Sequence, residues 1–179
     1  GKAFKDNNTT PNGTFETGTD TPLAGVAIEL RSGATCAGAL ITSTTTDAAG
    51  NYLFSGLGEG FFSVCEPSQP AGTTNGSTVA GGIVPANGST GTAGVATNPT
   101  STSSQITNIR LKADGSAGQV SSSIDNNFAE IVPSSITGTV FLDQNNNGIQ
   151  NGSDNGLSGV TIQLLNSVGA VVATTTTDA

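Results

Sequence analysis

The chain has no histidine, no methionine and no tryptophan, and only one tyrosine and two cysteines in 179 residues. Without histidine there is no imidazole to act as base for a serine or cysteine nucleophile, and no histidine to ligate zinc. Cys36 and Cys65 do not form a CxxC pair, so neither a zinc site nor a redox motif is expected. Basic residues are nearly as scarce. Lys2, Lys5, Arg31, Arg110 and Lys112 stand against 13 acidic residues, for a net charge of −8. Such a chain lacks the basic patch that nucleic acid requires, and anionic membrane surfaces would repel it. No run approaches the ~20 apolar residues of a membrane-spanning helix, so membrane insertion is not expected. No secretion signal is visible, although a window cut from a longer chain would look the same. No G-x-S-x-G, phosphate loop or recognisable pair of carboxylates is present, and no enzymatic activity is expected.

Thr, Ser, Asn and 25 glycines make up much of the rest. β-Branched residues favour strands, and no segment shows a helical period. Lys2–Lys5 reads as a short opening strand. Val26–Leu30 alternates, with Val26, Ile28 and Leu30 on one face. Leu40–Thr46 is a Thr-rich strand, and Asp47–Asn51 is a turn. Tyr52–Phe54 and Phe61–Cys65 read as two strands joined across a Gly-rich loop. Ile106–Leu111 alternates imperfectly, and Asn127–Ile131 closes the set. Short strands with Gly-rich turns imply an all-β, antiparallel, immunoglobulin-like sandwich.

The chain also says nearly the same thing twice. GKAFKD at Gly1–Asp6 returns as GTVFLD at Gly138–Asp143, PLAGVAIEL at Pro22–Leu30 as GLSGVTIQL at Gly156–Leu164, and STTTDA at Ser43–Ala48 as TTTTDA at Thr174–Ala179. Motifs returning in order imply tandem copies of one folding unit. Residues 1–132 read as one complete repeat. Within it, Pro67–Gln105, rich in Gly, Thr, Ser and Asn, is read as a long ordered excursion pinned by Val79, Ile83, Val84 and Val95. Residues 133–137 form a short linker and strand lead-in, stiffened by Pro133. A new strand is expected over Ile136–Leu142, and residues 138–179 form the first part of a second repeat. Such a chain is either a window on a longer array or a short subunit completed by strand addition from a neighbouring chain.

One stretch carries chemistry. Asp143, Asn145, Asn147, Ile149, Asn151 and Asp154 occupy positions 1, 3, 5, 7, 9 and 12 of a calcium loop, with Gly148 at position 6. Ile149 would contribute its main-chain carbonyl. Aspartate at position 12 and only two charges imply weak calcium binding, on the order of 0.1–1 mM. In the first copy Asp6, Asn8, Asn12, Glu16 and Asp20 keep the residue types on a stretched spacing. Cys36 and Cys65, each at the edge of a predicted strand, suggest a disulfide formed in an oxidising compartment, worth roughly 3–4 kcal/mol. Lys2, Glu66 and Asn127 supply the residue types of an intramolecular isopeptide bond, although Thr139 replaces Lys2 in the second copy. The Asn-x-Ser/Thr triplets at Asn7, Asn8, Asn12, Asn75, Asn87 and Asn151 carry no weight in so Asn- and Thr-rich a chain.

The run GTVFLDQNNNGIQNGSDNGLSGVTIQLL resembles the B-type repeats of bacterial serine-aspartate adhesins, relatives of the collagen-adhesin B domains. TTTDAAGNYLFSGLGEGFFSVCEPSQPAG and ITNIRL…DNNFAEI match the rest of the unit. The resemblance implies a prealbumin-like sandwich, calcium held at Asp143, Asn145, Asn147 and Asp154, and an extracellular position on a bacterial surface. The expected role is mechanical: a stalk or filament segment touching neighbouring repeats or identical chains. A module gripping glycan or host protein through the long excursion is the alternative.

Overall fold

Val26, Ile28 and Leu30 share a face by alternation, and in the computed structural model all three are buried. The structure describes residues 1–85, 90–100, 102–113 and 121–178. Asn87 and Ala179 therefore lie outside the described residues. The chain divides into two units, Gly1–Pro133 and Ser134–Ala179.

In the first unit the strands are β1 (Lys2–Lys5), β2 (Thr21–Pro22), β3 (Ala27–Ser32), β4 (Leu40–Thr45), β5 (Gly60–Glu66), β6 (Thr74–Val79), β7 (Ile83–Val84), β8 (Val95–Thr100), β9 (Ser103–Leu111), β10 (Ser122–Ser123) and β11 (Asn127–Ile131). A five-stranded sheet runs in the order β4-β3-β5-β9-β8, a four-stranded sheet in the order β2-β1-β11-β6, and β10 pairs with β7. Every pairing is antiparallel except β1 with β11, which run parallel with Lys2 opposite Asn127 and Lys5 opposite Glu130. Between the sheets lies an apolar core. Ala3 and Phe128 come from one side, Ile28, Leu30, Val64, Ile106, Ile109 and Leu111 from the other, with Tyr52 among them.

The imperfect alternation of β9 has a physical cause. Asn108 takes a left-handed φ of 58°, and the β5–β9 register shifts between Phe62 and Val64. This bulge resets the period, so Ile106, Ile109 and Leu111 all reach the core.

Two strand expectations fail. Tyr52–Phe54 is not a strand: only an isolated bridge joins Lys2 to Asn51. The segment instead turns its rings inward, where Tyr52 Oη donates to the Asn126 carbonyl at 2.7 Å. The preceding turn fits β1 closely. Gly50 sits at φ 76°, and a Cβ there would lie 2.4 Å from the Ala3 carbonyl oxygen. Only glycine avoids both the clash and the left-handed strain.

Pro67–Gln105 contributes β6, β7 and β8, and so supplies an edge strand to each large sheet. Those two edges are joined by side chains rather than by a ladder. Asn98 Nδ2 donates to the Gly76 carbonyl at 2.9 Å, and Asn75 Nδ2 to the Thr100 carbonyl at 2.6 Å. Ile83 packs on the core, whereas Val84 and Val95 are exposed and pin nothing.

In the second unit β12 (Phe141–Leu142) pairs with β13 (Asn155–Gly156), and β14 (Thr161–Leu165) with β15 (Val171–Thr176). The strand expected over Ile136–Leu142 is thus reduced to two residues. In the first unit β1 is held along one edge by β11. Among the described residues β12 has β13 alone, so residues 136–140 have no ladder to join.

Candidate functional site

The loop between β12 and β13 folds around its own oxygens. Asp143 accepts from the Asn147 and Gly148 N–H groups at 3.2 and 2.7 Å. Asn145 Oδ1 accepts from Asn147 N–H, and Asn147 Oδ1 from Ile149 N–H. Asp154 accepts from Gln144 and Asn151 N–H at 3.0 and 3.1 Å. Asn145 Nδ2 reaches Asn151 Oδ1, and Asn151 Nδ2 reaches the Ile149 carbonyl. The Gly148 N–H, against the upward push of burial and with the help of three neighbouring amides, holds the Asp143 carboxyl below its ordinary range. Gly148 at φ 76° and Asn146 at φ 56° make the sharp turn. All six expected positions therefore face one short loop.

The first loop repeats this bonding despite its longer spacing. Asp6 accepts from Asn12 and Gly13 N–H at 2.7 and 2.8 Å. Asp20 accepts from Asn7 and Glu16 N–H, both at 2.9 Å. Asn8 Nδ2 and Asn12 Nδ2 reach the Glu16 carboxylate at 3.1 and 2.9 Å. Asp6, Gly13, Glu16 and Asp20 thus stand where Asp143, Gly148, Asn151 and Asp154 stand in the other loop. The extra residues fall between Asn8 and Asn12 and between Glu16 and Asp20, where the turn absorbs them. Asp6 and Asp20 are buried, whereas Asp143 and Asp154 are half-exposed. Burial works to raise the Asp20 carboxyl, but the Glu16 and Asn7 amides leave it below its ordinary value.

Both donor sets consist of carboxylate, amide and main-chain oxygens, the hard ligands calcium takes and softer metals do not favour. Glu16 gives the first loop a third carboxylate. Among the described residues no three His, Cys, Asp or Glu side chains are grouped as a metal cluster. Any ion would therefore depend on the amide and carbonyl oxygens as much as on charge.

Cys36 and Cys65 are joined in a disulfide with a Cα–Cα distance of 6.1 Å. It ties the β3–β4 connection to β5. Of the isopeptide residues, Lys2 and Asn127 stand opposite one another in register, but the Lys2 amine is engaged elsewhere. Lys2 Nζ donates to the Ala49 carbonyl at 2.5 Å and lies 4.4 Å from the centre of the Phe15 ring. Asn127 Oδ1 takes the Lys2 main-chain N–H instead. Glu66 lies in the interior, where its electrostatic partner is Glu130.

Glu130 is the residue that sequence reasoning passed over. The signal was its place two residues after Phe128 on the inward face of β11. Glu66 and Glu130 are both 0% exposed. Neither Glu66 oxygen, nor Glu130 Oε1, has a hydrogen-bond donor.

The second unit's pairing follows the first residue by residue. Phe4 stands opposite Pro22, and Phe141 opposite Gly156. The β3–β4 ladder runs from Ala27 opposite Thr45 to a shift at Arg31, and the β14–β15 ladder from Thr161 opposite Thr176 to a shift at Leu165. Thr46 Oγ1 accepts from Val26 N–H and donates to the Leu23 carbonyl. Thr177 Oγ1 does the same with Val160 and Leu157.

Comparison with known proteins agrees with this geometry. Residues 2–118 and 134–179 match the SdrD B-like domain family. Serine-aspartate repeat-containing protein F of Staphylococcus epidermidis is 32% identical over 141 residues, 79% of this chain and 7% of that protein. Serine-aspartate repeat-containing protein C of Staphylococcus aureus (strain Newman) is 33% identical over 135 residues, 75% of this chain and 12% of that protein. The chain therefore spans a small fraction of these relatives' length. No solved structure matches it. Among the described residues no helix is long and apolar enough to cross a membrane.

Proposed function

The chain belongs to the SdrD B-like domain family, and on that premise we propose that it is a structural, non-enzymatic module of an extracellular bacterial surface protein. Its sandwich units are tandem copies that act as spacers, each stiffened by a calcium loop, and the first also by a disulfide. The observation that carries this reading is the repetition of loop bonding and strand register between the two units. A module selected to span distance needs the same joint made again; a catalyst has no such need.

The calcium proposal is tested by calorimetric titration of the whole chain. Heat is expected in the millimolar range or below, as for extracellular modules. Asp143→Asn with Asp154→Asn should remove the second loop's share, and Asp6→Asn with Asp20→Asn the first's. No heat from the wild type at millimolar calcium would sink the proposal.

A second reading is favoured by one observation. Ile28 and Leu30 are 0% and 2% exposed, whereas Ile162 and Leu164, which hold the same register positions, are 41% and 46% exposed. The second unit's inner face and open strand edges therefore fit strands like β5, β9 and β11, supplied by polypeptide of the same kind. Sedimentation separates the cases. A concentration-dependent dimer would favour strand complementation between copies, and a monomer at all concentrations would exclude it. Glycan or host-protein binding through Pro67–Gln105 finds less support, because its strands are taken up as sheet edges.

A further inference from the structure

Asparagine followed by glycine is chemically unstable in water. Glycine has no Cβ, so its main-chain nitrogen reaches the asparagine side chain unhindered. That nitrogen attacks Cγ and closes a five-membered succinimide. The side-chain nitrogen leaves as ammonia, taking up, by way of water, the proton that the glycine nitrogen gives up. Water then adds across one of the two C–N bonds of the ring. The glycine N–H is restored, and a carboxylate, in aspartate or isoaspartate, replaces the amide. The chain has such pairs at Asn12, Asn75, Asn87, Asn147, Asn151 and Asn155.

Of those within the described residues, the fold guards all but Asn151. Gly13 and Gly148 give their N–H groups to the Asp6 and Asp143 carboxylates at 2.8 and 2.7 Å. The Asn75 side chain is held by Ser104 and the Thr100 carbonyl, and a Cβ on Gly76 would lie 2.7 Å from the Ala129 carbonyl oxygen. Asn155 and Gly156 lie in the β12–β13 ladder. Asn151 and Gly152 are both exposed. They open a turn that the Asp154 N–H closes on the Asn151 carbonyl at 2.9 Å, with Gly152 at φ 51°. Among the described residues the Gly152 N–H has no acceptor, and open space surrounds its α-carbon.

We propose that Asn151 is a site of spontaneous deamidation, selected by the fold over the other Asn-Gly pairs, and that its conversion turns a self-closed loop into one that demands a cation. Asn151 Nδ2 donates to the Ile149 carbonyl at 2.8 Å, and Asn151 Oδ1 accepts from Asn145 at 3.3 Å. In the aspartate product an oxygen replaces Nδ2. It faces the Ile149 carbonyl oxygen with no proton between them, an arrangement of two acceptors that a cation satisfies. The loop also passes from two carboxylates, Asp143 and Asp154, to three. The first loop already has three, through Glu16 at the matching place. The gain in calcium binding rests on the calcium reading proposed above; the modification itself does not.

The whole folded chain is incubated at mildly alkaline pH without calcium, and converted residues are located by tandem mass spectrometry. Asn151 is expected to convert first, well ahead of Asn12, Asn75, Asn147 and Asn155, with release of ammonia. The chain unfolded in urea should convert all the pairs alike, since each then has the same free neighbour. Equal rates in the folded chain, or conversion of another described pair ahead of Asn151, would overturn the site. Calorimetry then compares unconverted wild type with Asn151→Asp, which supplies the aspartate product without its isomer. Both keep the same first loop, so any difference belongs to the second. Asn151→Asp should bind calcium there on the order of tenfold more tightly, because ligand charge sets the affinity of such loops. Equal affinity would overturn the switch and leave the calcium reading standing. No heat from either protein would sink that reading and the switch together, while the mass map still decides the modification.

Discussion

Thr46 shows how much one hydroxyl can hold. It is 4% exposed, takes the Val26 N–H at 3.0 Å and gives its proton to the Leu23 carbonyl at 2.6 Å. Thr46→Val keeps the shape and strands both main-chain groups, each costing about 1–3 kcal/mol when buried without a partner. Urea unfolding should show that loss for valine and a much smaller one for Thr46→Ser. Equal stability of the valine variant would mean that water replaces the hydroxyl. The turn carboxylates set an acid limit. Asp47, held down first by the Asn51 N–H, and Asp143, held down first by the Gly148 N–H, lie below their ordinary value. Their contribution is present above about pH 4 and lost as pH falls through the folded values. Urea unfolding should therefore show stability falling as pH drops below about 4, and a flat profile there would mean that these amide bonds contribute nothing.

Among the elements, β5 is the most heavily constrained. It pairs with β3 and β9, carries Glu66 inward, and is tied through Cys65 to Cys36 across a separation of 29 residues. Closing a loop of that length is worth roughly 3–4 kcal/mol in the chain-entropy account. Replacing both cysteines by serine should lower the unfolding midpoint of the first unit by ~10 °C. A reductant should do the same to the wild type and nothing to the variant. An unchanged midpoint would show that the five-stranded sheet is held by its ladders alone. The strands legible beforehand were β1, the Thr-rich β4, and β3, β5, β9 and β11, whose pattern buries a face. The sequence pattern did not reveal β6 and β8, because Thr, Asn and Gly fix them through side-chain bonds such as Asn98 to Gly76, which leave no hydrophobic period. The parallel pairing of β1 with β11 was hidden for another reason. It joins the two ends of the unit, and no local spacing records that. The closed turn at Asp143–Asp154 was legible because a turn of fixed length repeats its residue types. The Glu66–Glu130 pair was not, because each residue by itself reads as an ordinary strand-edge carboxylate.

At the scale of the whole molecule the two units share a plan but differ in what covers it. Phe4 is fully buried, while Phe141 at the matching position is only half-buried. In the first unit β5 and β9 extend the sheet of β3, and the opposite sheet, in which β11 pairs with β1, packs on its inner face. The second unit's strands are two separate pairs, and a two-stranded pair alone is marginal in water. The second unit's register is nevertheless set by the same threonine bridge and the same loop bonding as the first unit. Local bonds thus specify the conformation, and covering strands supply most of the free energy. Hydrogen exchange of the whole chain can separate these contributions. Amides of β3, β5, β9 and β11 should exchange only through global opening, whereas those of β14 and β15 should exchange orders of magnitude faster, near the limit set by local fraying. Calcium should slow exchange at Asn147, Gly148 and Asn151 more than along β14, because it would bind the loop and leave the apolar face open. Equal protection of β14 and β3 in a monomer would show that local bonding is enough, and would remove the case for covering strands.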